Sequence, residues 1–256
     1  MNLFVFDIET IPDVTTCRKQ HNFEGLSDQE VVSAVTSLQR AQKGSDFMPL
    51  YLQRIVCISV VLRTPTSLKV WSLGEEDSTE SALVERFFKG IEKYTPTLVT
   101  WNGSGFDLPV LHYRALLHGI TAARYWEHGD TDTQFKYNNY LNRYHYRHLD
   151  LMDVLASYNA RSFAPLDGIA TMLGFPGKMG QSGAQVWPQF NAGKIKDVRN
   201  YCETDVLNTY LVYLRFQLVK GSVTPEAYQA ELAFVRETLN AFDRDHFRAF
   251  VEKMPQ

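Results

Sequence analysis

The chain has 256 residues, of which 45% are apolar and 21% charged, and its formal net charge is −3. This length and composition predict one folded domain with a substantial core and exclude a largely disordered chain. The near-neutral charge excludes a general electrostatic attraction to polyanions, so a nucleic-acid ligand would need a local basic patch.

The first part of the chain predicts alternating strands and helices. An apolar run at residues 3–6 has the pattern of a buried strand, and an irregular stretch at 10–26 follows it. Ser27 and Glu30 form a capping box, which predicts a helical insert over about residues 27–43. Further strands are predicted at residues 54–62, 68–73 and 97–101, and further helices at 81–94 and from 108 onward. The first two of these strands should form an antiparallel hairpin, which gives an α/β order with mixed strand directions.

The second part is predicted to be mainly helical. Five glycines and two prolines between Gly174 and Gly193 predict a long loop. Thr224 as N-cap and Pro225 at the first helical position predict a final amphipathic helix that continues through Phe242. The other helices are predicted at residues 149–158, 166–173 and 196–218.

Two carboxylates follow the first apolar run. Because side chains at i and i+2 of a strand share one face, Asp7 and Glu9 are expected side by side at the edge of an apolar sheet. Adjacent buried carboxylates repel each other, and a bound divalent cation would compensate their charge. The alternative is that Asp7 only ends the strand and caps a turn near Pro12.

A third acid, Asp107, stands in a loop that begins Asn102-Gly103-Ser104-Gly105 and leads into a helix. Alone, it is best explained as the N-cap of that helix. The glycines do not form a dinucleotide-binding loop, because Leu108 occupies the place of the third glycine.

A fourth acid lies inside the long helix. Asp205 falls at the centre of the apolar arc of this helix, and Tyr201 lies one turn earlier on the same side. An inward-facing carboxylate needs a partner, so both side chains are predicted to point into one pocket. The alternative is that backbone groups or water satisfy both.

These three segments together resemble the exonuclease motifs of the DEDD superfamily of 3′-5′ exonucleases, which has a ribonuclease H-like fold. Asp-x-Glu, Asn-x-x-x-Phe-Asp and Tyr-x-x-x-Asp occur here in the order of those motifs, and Tyr201 matches the tyrosine branch. The stretches at residues 6–10, 101–109 and 147–151 are most similar to the exonuclease domains of family B DNA polymerases. The resemblance covers residues 1–218 and implies a mixed five-stranded sheet flanked by helices. Residues 219–256 lie outside it and should pack on this domain or extend it.

The resemblance implies a metal-dependent 3′-5′ exonuclease. Asp7, Glu9, Asp107 and Asp205 would hold two Mg²⁺ or Mn²⁺ ions, for which carboxylate oxygens are suitable ligands. Tyr201 would orient the attacking water, because a phenol is a poor base at neutral pH. The products would be nucleoside 5′-monophosphates released from the 3′ ends of single-stranded DNA.

Contacts to the nucleic acid are predicted as well. By analogy with the motif, Asn102 would bind near the scissile group and Phe106 would stack on the terminal base. Arg143 and Arg147 belong to a Tyr-rich segment with the composition of a single-strand path, although a packed segment with solvated arginines is equally consistent. Lys178, in the glycine-rich loop, would reach a phosphate, the alternative being a solvated lysine.

Two other functions stay open. RNA is the alternative substrate, since no motif in the sequence predicts a contact that would distinguish RNA from DNA by its 2′-hydroxyl. A non-catalytic nucleic-acid-binding module on the same fold is the rival class, and the presence of all four acids and Tyr201 argues against it. The stretch at residues 129–133 resembles the metal-binding motif of family B polymerase palms, but the chain is too short for a palm, so a surface turn is expected.

The thiols and the apolar runs restrict the cellular context. Cys17, Cys57 and Cys202 are scattered and predict neither a disulfide framework nor a zinc cluster. No apolar run approaches the roughly 18 residues of a membrane span, and the first residues lack the pattern of a signal peptide. We therefore expect a cytoplasmic protein without a membrane partner.

Overall fold

A five-stranded sheet forms the centre of the protein in the computed structural model, which describes residues 2–255. Its strands are β1 (Leu3–Pro12), β2 (Gln53–Arg63), β3 (Leu68–Ser72), β4 (Thr97–Thr100) and β5 (His148–Asp150). The spatial order is β3-β2-β1-β4-β5. The strands β1, β2 and β3 pair antiparallel, whereas β4 and β5 run parallel to β1. The predicted hairpin and the mixed five-stranded α/β sheet are confirmed.

Helices cover both faces of this sheet. They are α1 (Val14–His21), α2 (Asp28–Lys43), α3 (Glu80–Tyr94), α4 (Asp107–His118), α5 (Ala123–Trp126), α6 (Leu151–Leu155), α7 (Leu166–Met172), α8 (Val186–Asn191), α9 (Ile195–Val219), α10 (Pro225–Asn240) and α11 (Asp245–Lys253). The predicted capping box at α2 is present, with Ser27 and Glu30 bonded reciprocally. Among the helices of the described residues, none is both long and apolar enough to cross a bilayer.

Three elements before α9 depart from the sequence-based prediction. The stretch at 10–26 is not irregular, because β1 continues to Pro12 and α1 follows; α1 buries only Cys17, so it lacks a visible apolar period. The helix expected at 149–158 begins only at Leu151, since β5 occupies His148–Asp150 with polar residues at its two buried positions. Within the predicted long loop, α8 forms with its proline in the first turn, where proline is tolerated.

The alternation of β1 divides the core into two halves. Phe4 and Phe6 point to one face and pack in a cluster with residues of α3 and α4. Leu3 and Val5 point to the other face and pack in a cluster with α9, α10 and α11. Because the side-chain period of a strand is two, Asp7 continues the face of Leu3 and Val5. The first acid of the chain is therefore directed toward α9.

The C-terminal segment forms two helices rather than the single helix predicted through Phe242. The helix α10 ends at Asn240, and α11 then buries Phe247 and Phe250 completely in the α9-side core. The buried carboxylate of Glu203 on α9 accepts hydrogen bonds from Arg244 at 2.9 Å and His246 at 2.8 Å. These contacts join the segment closely to the sheet-covering helix.

We expect Thr224→Ala to lower the free energy of unfolding of the whole protein by about 1 kcal/mol, the usual value of an N-cap. The hydroxyl of Thr224 accepts the backbone N–H of Ala227 at 3.2 Å and begins α10 as predicted. Urea unfolding followed by circular dichroism measures the effect, with Ser222→Ala as the neighbouring control. A midpoint that does not move would mean that α10 unfolds separately from the sheet.

The Asp-rich stretch at residues 129–133 is the expected surface turn. The Glu127 carboxylate accepts the backbone N–H groups of Gly129 at 2.7 Å and Asp130 at 2.8 Å, and the Asp130 side chain is exposed. This local arrangement explains the acids of the turn without a metal ion.

Candidate active site

The site forms where β1 extends beyond its parallel neighbour. The strand β4 pairs with β1 only at Leu3–Val5, so the following residues of β1 have one free edge. Glu9 is 7% exposed and Asp7 is half-buried on this extension. The register with β2 shifts between Glu9 and Thr10, which marks an irregularity directly after the second acid. Both carboxylates thus lie at the carboxyl end of the parallel strands, where ligands of α/β sheets commonly bind.

Asp107 completes the free edge of β1 instead of capping its own helix. Its carboxylate accepts the backbone N–H of Ile8 at 3.1 Å, across 99 residues of sequence. The N-cap position of α4 is Phe106, which makes no side-chain cap hydrogen bond. The interpretation of Asp107 as an N-cap is therefore wrong, and its side chain lies beside the strand segment that carries Asp7 and Glu9.

The inner face of α9 brings Tyr201 and Asp205 to the same place. Tyr201 is 3% exposed and Asp205 6%, so both point inward, as the position on the helix predicts. The Oδ1 atom of Asp205 is buried and, within residues 2–255, has no hydrogen-bond partner. A buried carboxylate oxygen without a donor is costly, so a water molecule or a cation beside it would stabilise the site.

The four carboxylates of the site have raised pKa values, chiefly because they are buried. Burial and the neighbouring Asp107 and Asp205 raise the pKa of Asp7 well above its ordinary value, and burial and Asp7 do the same to Glu9. Burial raises the pKa of Asp107 to about 7 and that of Asp205 to about 6, although Lys178 opposes the latter shift. The cluster therefore holds more negative charge than the surrounding protein compensates.

Lys178 brings a positive charge to this cluster. Lys178 Nζ lies 2.8 Å from the hydroxyl oxygen of Tyr201 and 3.9 Å from Asp205 Oδ2. Its loop is held by two buried contacts: Asn208 bonds both backbone groups of Gly177, and the Asp167 carboxylate accepts the N–H of Lys178 at 2.7 Å. Lys178 thus belongs to the site, and its ammonium is directed at a phenol and a carboxylate.

The donor set fits divalent cations. Four carboxylates supply only oxygen ligands of the kind that Mg²⁺ and Mn²⁺ prefer, and one lysine cannot neutralise them. Ligand atoms of Asp7, Glu9 and Cys202 lie within 4.8 Å of one another. The Asp205 carboxylate, whose Oδ1 is unpartnered within residues 2–255, lies close enough to raise the pKa values of Asp7 and Glu9.

Cavities adjoin the acids on two sides. A cavity of about 400 Å³ is lined by Asp7 and Asp205 with Asn102, Phe163 and Lys178. A larger cavity of about 900 Å³ contains Glu9 and Phe106, and its wall includes Phe47, which meets Phe106 edge-on with ring centroids 5.8 Å apart. Asn102, Phe106 and Lys178 are therefore placed at the acidic cluster.

The two arginines lie elsewhere. Arg143 lines a third cavity of about 430 Å³, which adjoins the first through Asn102 and Phe163, and its guanidinium pairs with Asp153 at 2.8 Å. Arg147 lies over the ring of Phe135 at 3.8 Å and donates to a backbone carbonyl of its own segment. Arg147 thus stabilises the Tyr-rich segment, and the structure does not bring it to the acids.

Three further residues shape the site and were not predicted. The Asp150 carboxylate accepts the N–H groups of Asn102 at 2.9 Å and Ser104 at 2.8 Å, which fixes the loop before Asp107. Cys202 Sγ lies 3.6 Å from Asp7 Oδ2. Asn208 holds the Lys178 loop, and its position three residues after Asp205 on the inner arc of α9 is a signal that the sequence does contain.

Comparisons with known proteins show the family of the chain. The model of a family described as predicted 3′-5′ exonucleases related to the exonuclease domain of PolB matches residues 45–254. The DNA polymerase epsilon catalytic subunit of Emericella nidulans is 28% identical over 145 residues, and that of Saccharomyces cerevisiae is 25% identical over 148 residues. Each match covers 55% of this chain and 6% of the relative, so the chain spans a small part of these polymerases.

The fold has a similar solved structure. The family B DNA polymerase of the hyperthermophilic archaeon Pyrobaculum calidifontis superposes with a TM-score of 0.51 at 16% identity, over 97% of this chain and 27% of that one. This likeness supports the ribonuclease H-like architecture. The family match extends to residue 254 and so includes α10 and α11, beyond the residue 218 at which the sequence resemblance ended. With most of its length matched by the family model, the chain belongs to the 3′-5′ exonuclease family related to the exonuclease domain of PolB.

Proposed function

We propose that this protein is a two-metal-dependent 3′-5′ exonuclease that removes nucleoside 5′-monophosphates from the 3′ ends of single-stranded DNA. The observation that carries the proposal is the convergence of four buried or half-buried carboxylates from β1, α4 and α9, of which Asp205 has a buried oxygen without a partner in residues 2–255. Such a group of acids is unfavourable without cations, so its presence favours metal binding over a purely structural role.

The acids would hold Mg²⁺ or Mn²⁺ through their carboxylate oxygens. Bound ions of this kind supply a nucleophile at neutral pH and stabilise the charge of the leaving oxygen in phosphodiester hydrolysis. Asp107 also bonds Ile8 N–H, which orients its carboxylate toward β1. Asp7 contributes to the raised pKa of Glu9, and its own pKa is raised by Asp107 and Asp205, so it is the acid with the widest coupling.

Tyr201 would orient the attacking water. Burial and the adjacent carboxylates of Asp205 and Glu9 raise the pKa of Tyr201 far above its ordinary value, so the phenol stays protonated at neutral pH. A protonated phenol donates a hydrogen bond but does not accept the proton of water as a base. Lys178, which donates to the phenol oxygen at 2.8 Å, would keep this hydroxyl in place and reach the phosphate.

The substrate strand would occupy the cavities beside the acids. Phe106 and Phe47 offer aromatic surfaces for the terminal base, and Asn102 lies between the first cavity and the one that Arg143 lines. Stacking and local positive charge are the usual means of holding single strands. The matched relatives are named DNA polymerases, which favours DNA, and single-stranded RNA is the second candidate substrate.

The proposal is tested with 5′-labelled single-stranded DNA and RNA of the same sequence, incubated with Mg²⁺, Mn²⁺ or EDTA. We expect a metal-dependent ladder that shortens from the 3′ end, and the faster substrate decides between DNA and RNA. The same strand labelled at its 3′ end should release labelled mononucleotide at once. Strands that shift on a gel but stay intact with every metal would establish a binding module instead.

We expect Tyr201→Phe to lower the rate of cleavage about 10²-fold, the scale of a misplaced reacting group. The ring still fills its buried position, so the melting temperature should change little, whereas the hydroxyl that contacts Lys178 is lost. Single-turnover cleavage at saturating Mn²⁺ measures the effect. The control is Tyr213→Phe on the same helix. An unchanged rate for Tyr201→Phe would exclude a role in positioning the water.

A further inference from the structure

A thiol lies among the oxygen ligands of the site. Cys202 is completely buried, and its Sγ atom lies 3.6 Å from Asp7 Oδ2 and 3.5 Å from the backbone carbonyl of Asp7. Ligand atoms of Asp7, Glu9 and Cys202 are all within 4.8 Å of one another. A two-metal site for Mg²⁺ or Mn²⁺ needs oxygen ligands, so the thiol has no part in that chemistry.

The spacing of these atoms suits a single Zn²⁺ ion with sulfur and oxygen ligands. A tetrahedral Zn²⁺ ion lies at ~2.3 Å from sulfur and ~2.0–2.2 Å from carboxylate oxygen, so ligand atoms of one ion lie roughly 3.4–3.6 Å apart. Cys202 Sγ and Asp7 Oδ2, which are 3.6 Å apart, have this spacing, and the Glu9 oxygen, within 4.8 Å of both, needs a shift of up to roughly 1 Å. Asp205, whose buried Oδ1 is unpartnered in the described part of the chain, is near enough to act electrostatically on both Asp7 and Glu9.

A second buried cysteine, Cys57, lies behind Cys202. Cys57 is directly opposite Glu9 in the β1–β2 ladder, is completely buried and contacts Cys202. Thiolates select Zn²⁺ and other soft ions over Mg²⁺ and Mn²⁺, whereas an all-carboxylate set does not. Thiol and carboxylate donors in one site therefore allow it to bind Zn²⁺ as well as Mg²⁺ or Mn²⁺.

We propose that Cys202, with Asp7 and Glu9, forms a thiophilic metal site that captures Zn²⁺ or Cd²⁺ and thereby inhibits the nuclease. Binding forms a metal–sulfur bond, and the thiol proton passes to solvent. The ion takes Asp7 and Glu9 from the set that would hold Mg²⁺ or Mn²⁺, so soft cations compete with the catalytic ones. The inhibition, though not the binding, rests on the proposed nuclease function.

Binding is tested without reference to activity. Titration of the metal-free protein with Cd²⁺ should produce the ultraviolet sulfur-to-cadmium charge-transfer band, and excess Mn²⁺ should reduce it. Cys202→Ser should remove the band, whereas Cys17→Ser, which changes a buried thiol between α1 and α2, should keep it. A band that survives Cys202→Ser in folded protein, or that is absent from the wild-type protein, overturns the proposal.

Inhibition is tested with Zn²⁺ in the Mn²⁺-supported cleavage assay, each variant being compared with its own activity without Zn²⁺. Cys202→Ser should raise the Zn²⁺ concentration for half-inhibition at least ~10-fold, the lower range of losses for a metal-site partner. Cys17→Ser should leave it unchanged, and equal inhibition of Cys202→Ser and wild-type protein overturns the assignment. If Cys202→Ser does not fold, the wild-type protein alone is tested: a Cd²⁺ band that Mn²⁺ reduces supports the site, and a band that Mn²⁺ does not change contradicts it. A protein without nuclease activity that shows the band would refute the proposed function and keep the metal site.

Discussion

Asp7→Asn is expected to lower the rate of 3′-5′ cleavage by at least about 10³-fold, no less than the loss of one preorganised electrostatic group in other enzymes. Asp7 is the acid whose pKa responds to both Asp107 and Asp205, and it raises the pKa of Glu9 in turn. It is therefore coupled electrostatically to each of the other three carboxylates. An amide in this position keeps the shape of the side chain but removes one charge from every pair that would hold a cation.

The measurement is single-turnover cleavage of 5′-labelled single strands over a range of Mn²⁺ concentrations. We expect the defect to persist at saturating Mn²⁺, because the lost ligand changes the arrangement of the ions as well as their affinity. Asp77→Asn, which changes an exposed carboxylate away from the site, is the matched control and should cleave at the wild-type rate. A variant of Asp7 that retains even a tenth of the activity would move the catalytic centre away from this acid.

The strand and helix periods of the sequence were sufficient to predict the faces on which Asp7, Glu9 and Asp205 lie, whereas their grouping with Asp107 in one site was implied by the resemblance to the exonuclease motifs. The spacing of Asp7 and Glu9 on β1 and the inward position of Asp205 on α9 follow from periods of two and 3.6 residues, and the structure directs Asp7 and α9 toward each other. For Lys178 the sequence left a phosphate contact and a solvated lysine open, and the structure places its ammonium 3.9 Å from Asp205 Oδ2. Only the faces of Asp7, Glu9 and Asp205 follow from local geometry.

The remaining features depend on contacts that local patterns do not contain. Asp107 has the sequence context of an N-cap, and only the early end of β4 exposes the Ile8 N–H that it binds instead. Asp150 holds the loop at Asn102 because β5 ends beside it, and β5 itself was missed since its two buried residues are polar. Arg147 has the composition of a nucleic-acid contact, yet its guanidinium packs over Phe135.

Asp205→Asn should stabilise the metal-free protein, by up to about 3 kcal/mol at pH 8, because its pKa of about 6 exceeds the ordinary 3.8 by roughly two units. At a pH between these two pKa values, Asp205 is protonated in the folded state and ionised in the unfolded state. The contribution of this acid to stability therefore falls as the pH rises through that window, and above pH 6 the full penalty applies. The lost attraction between Asp205 and Lys178, 3.9 Å apart, will offset part of the gain.

At pH 5 the stabilisation by Asp205→Asn should be about half of that at pH 8, because Asp205 of the folded wild-type protein is then largely protonated. Urea unfolding in EDTA at the two pH values measures it, with Asp77→Asn expected to stay within about 0.5 kcal/mol of wild type. Mn²⁺ should reverse the order, because an ion at 100 times its dissociation constant adds about 2.7 kcal/mol to the protein that binds it. If Asp205→Asn is less stable than the wild-type protein in EDTA at pH 8, the carboxylate of Asp205 stabilises the fold. If the variant is more stable without metal and less stable with Mn²⁺, Asp205 is a metal ligand.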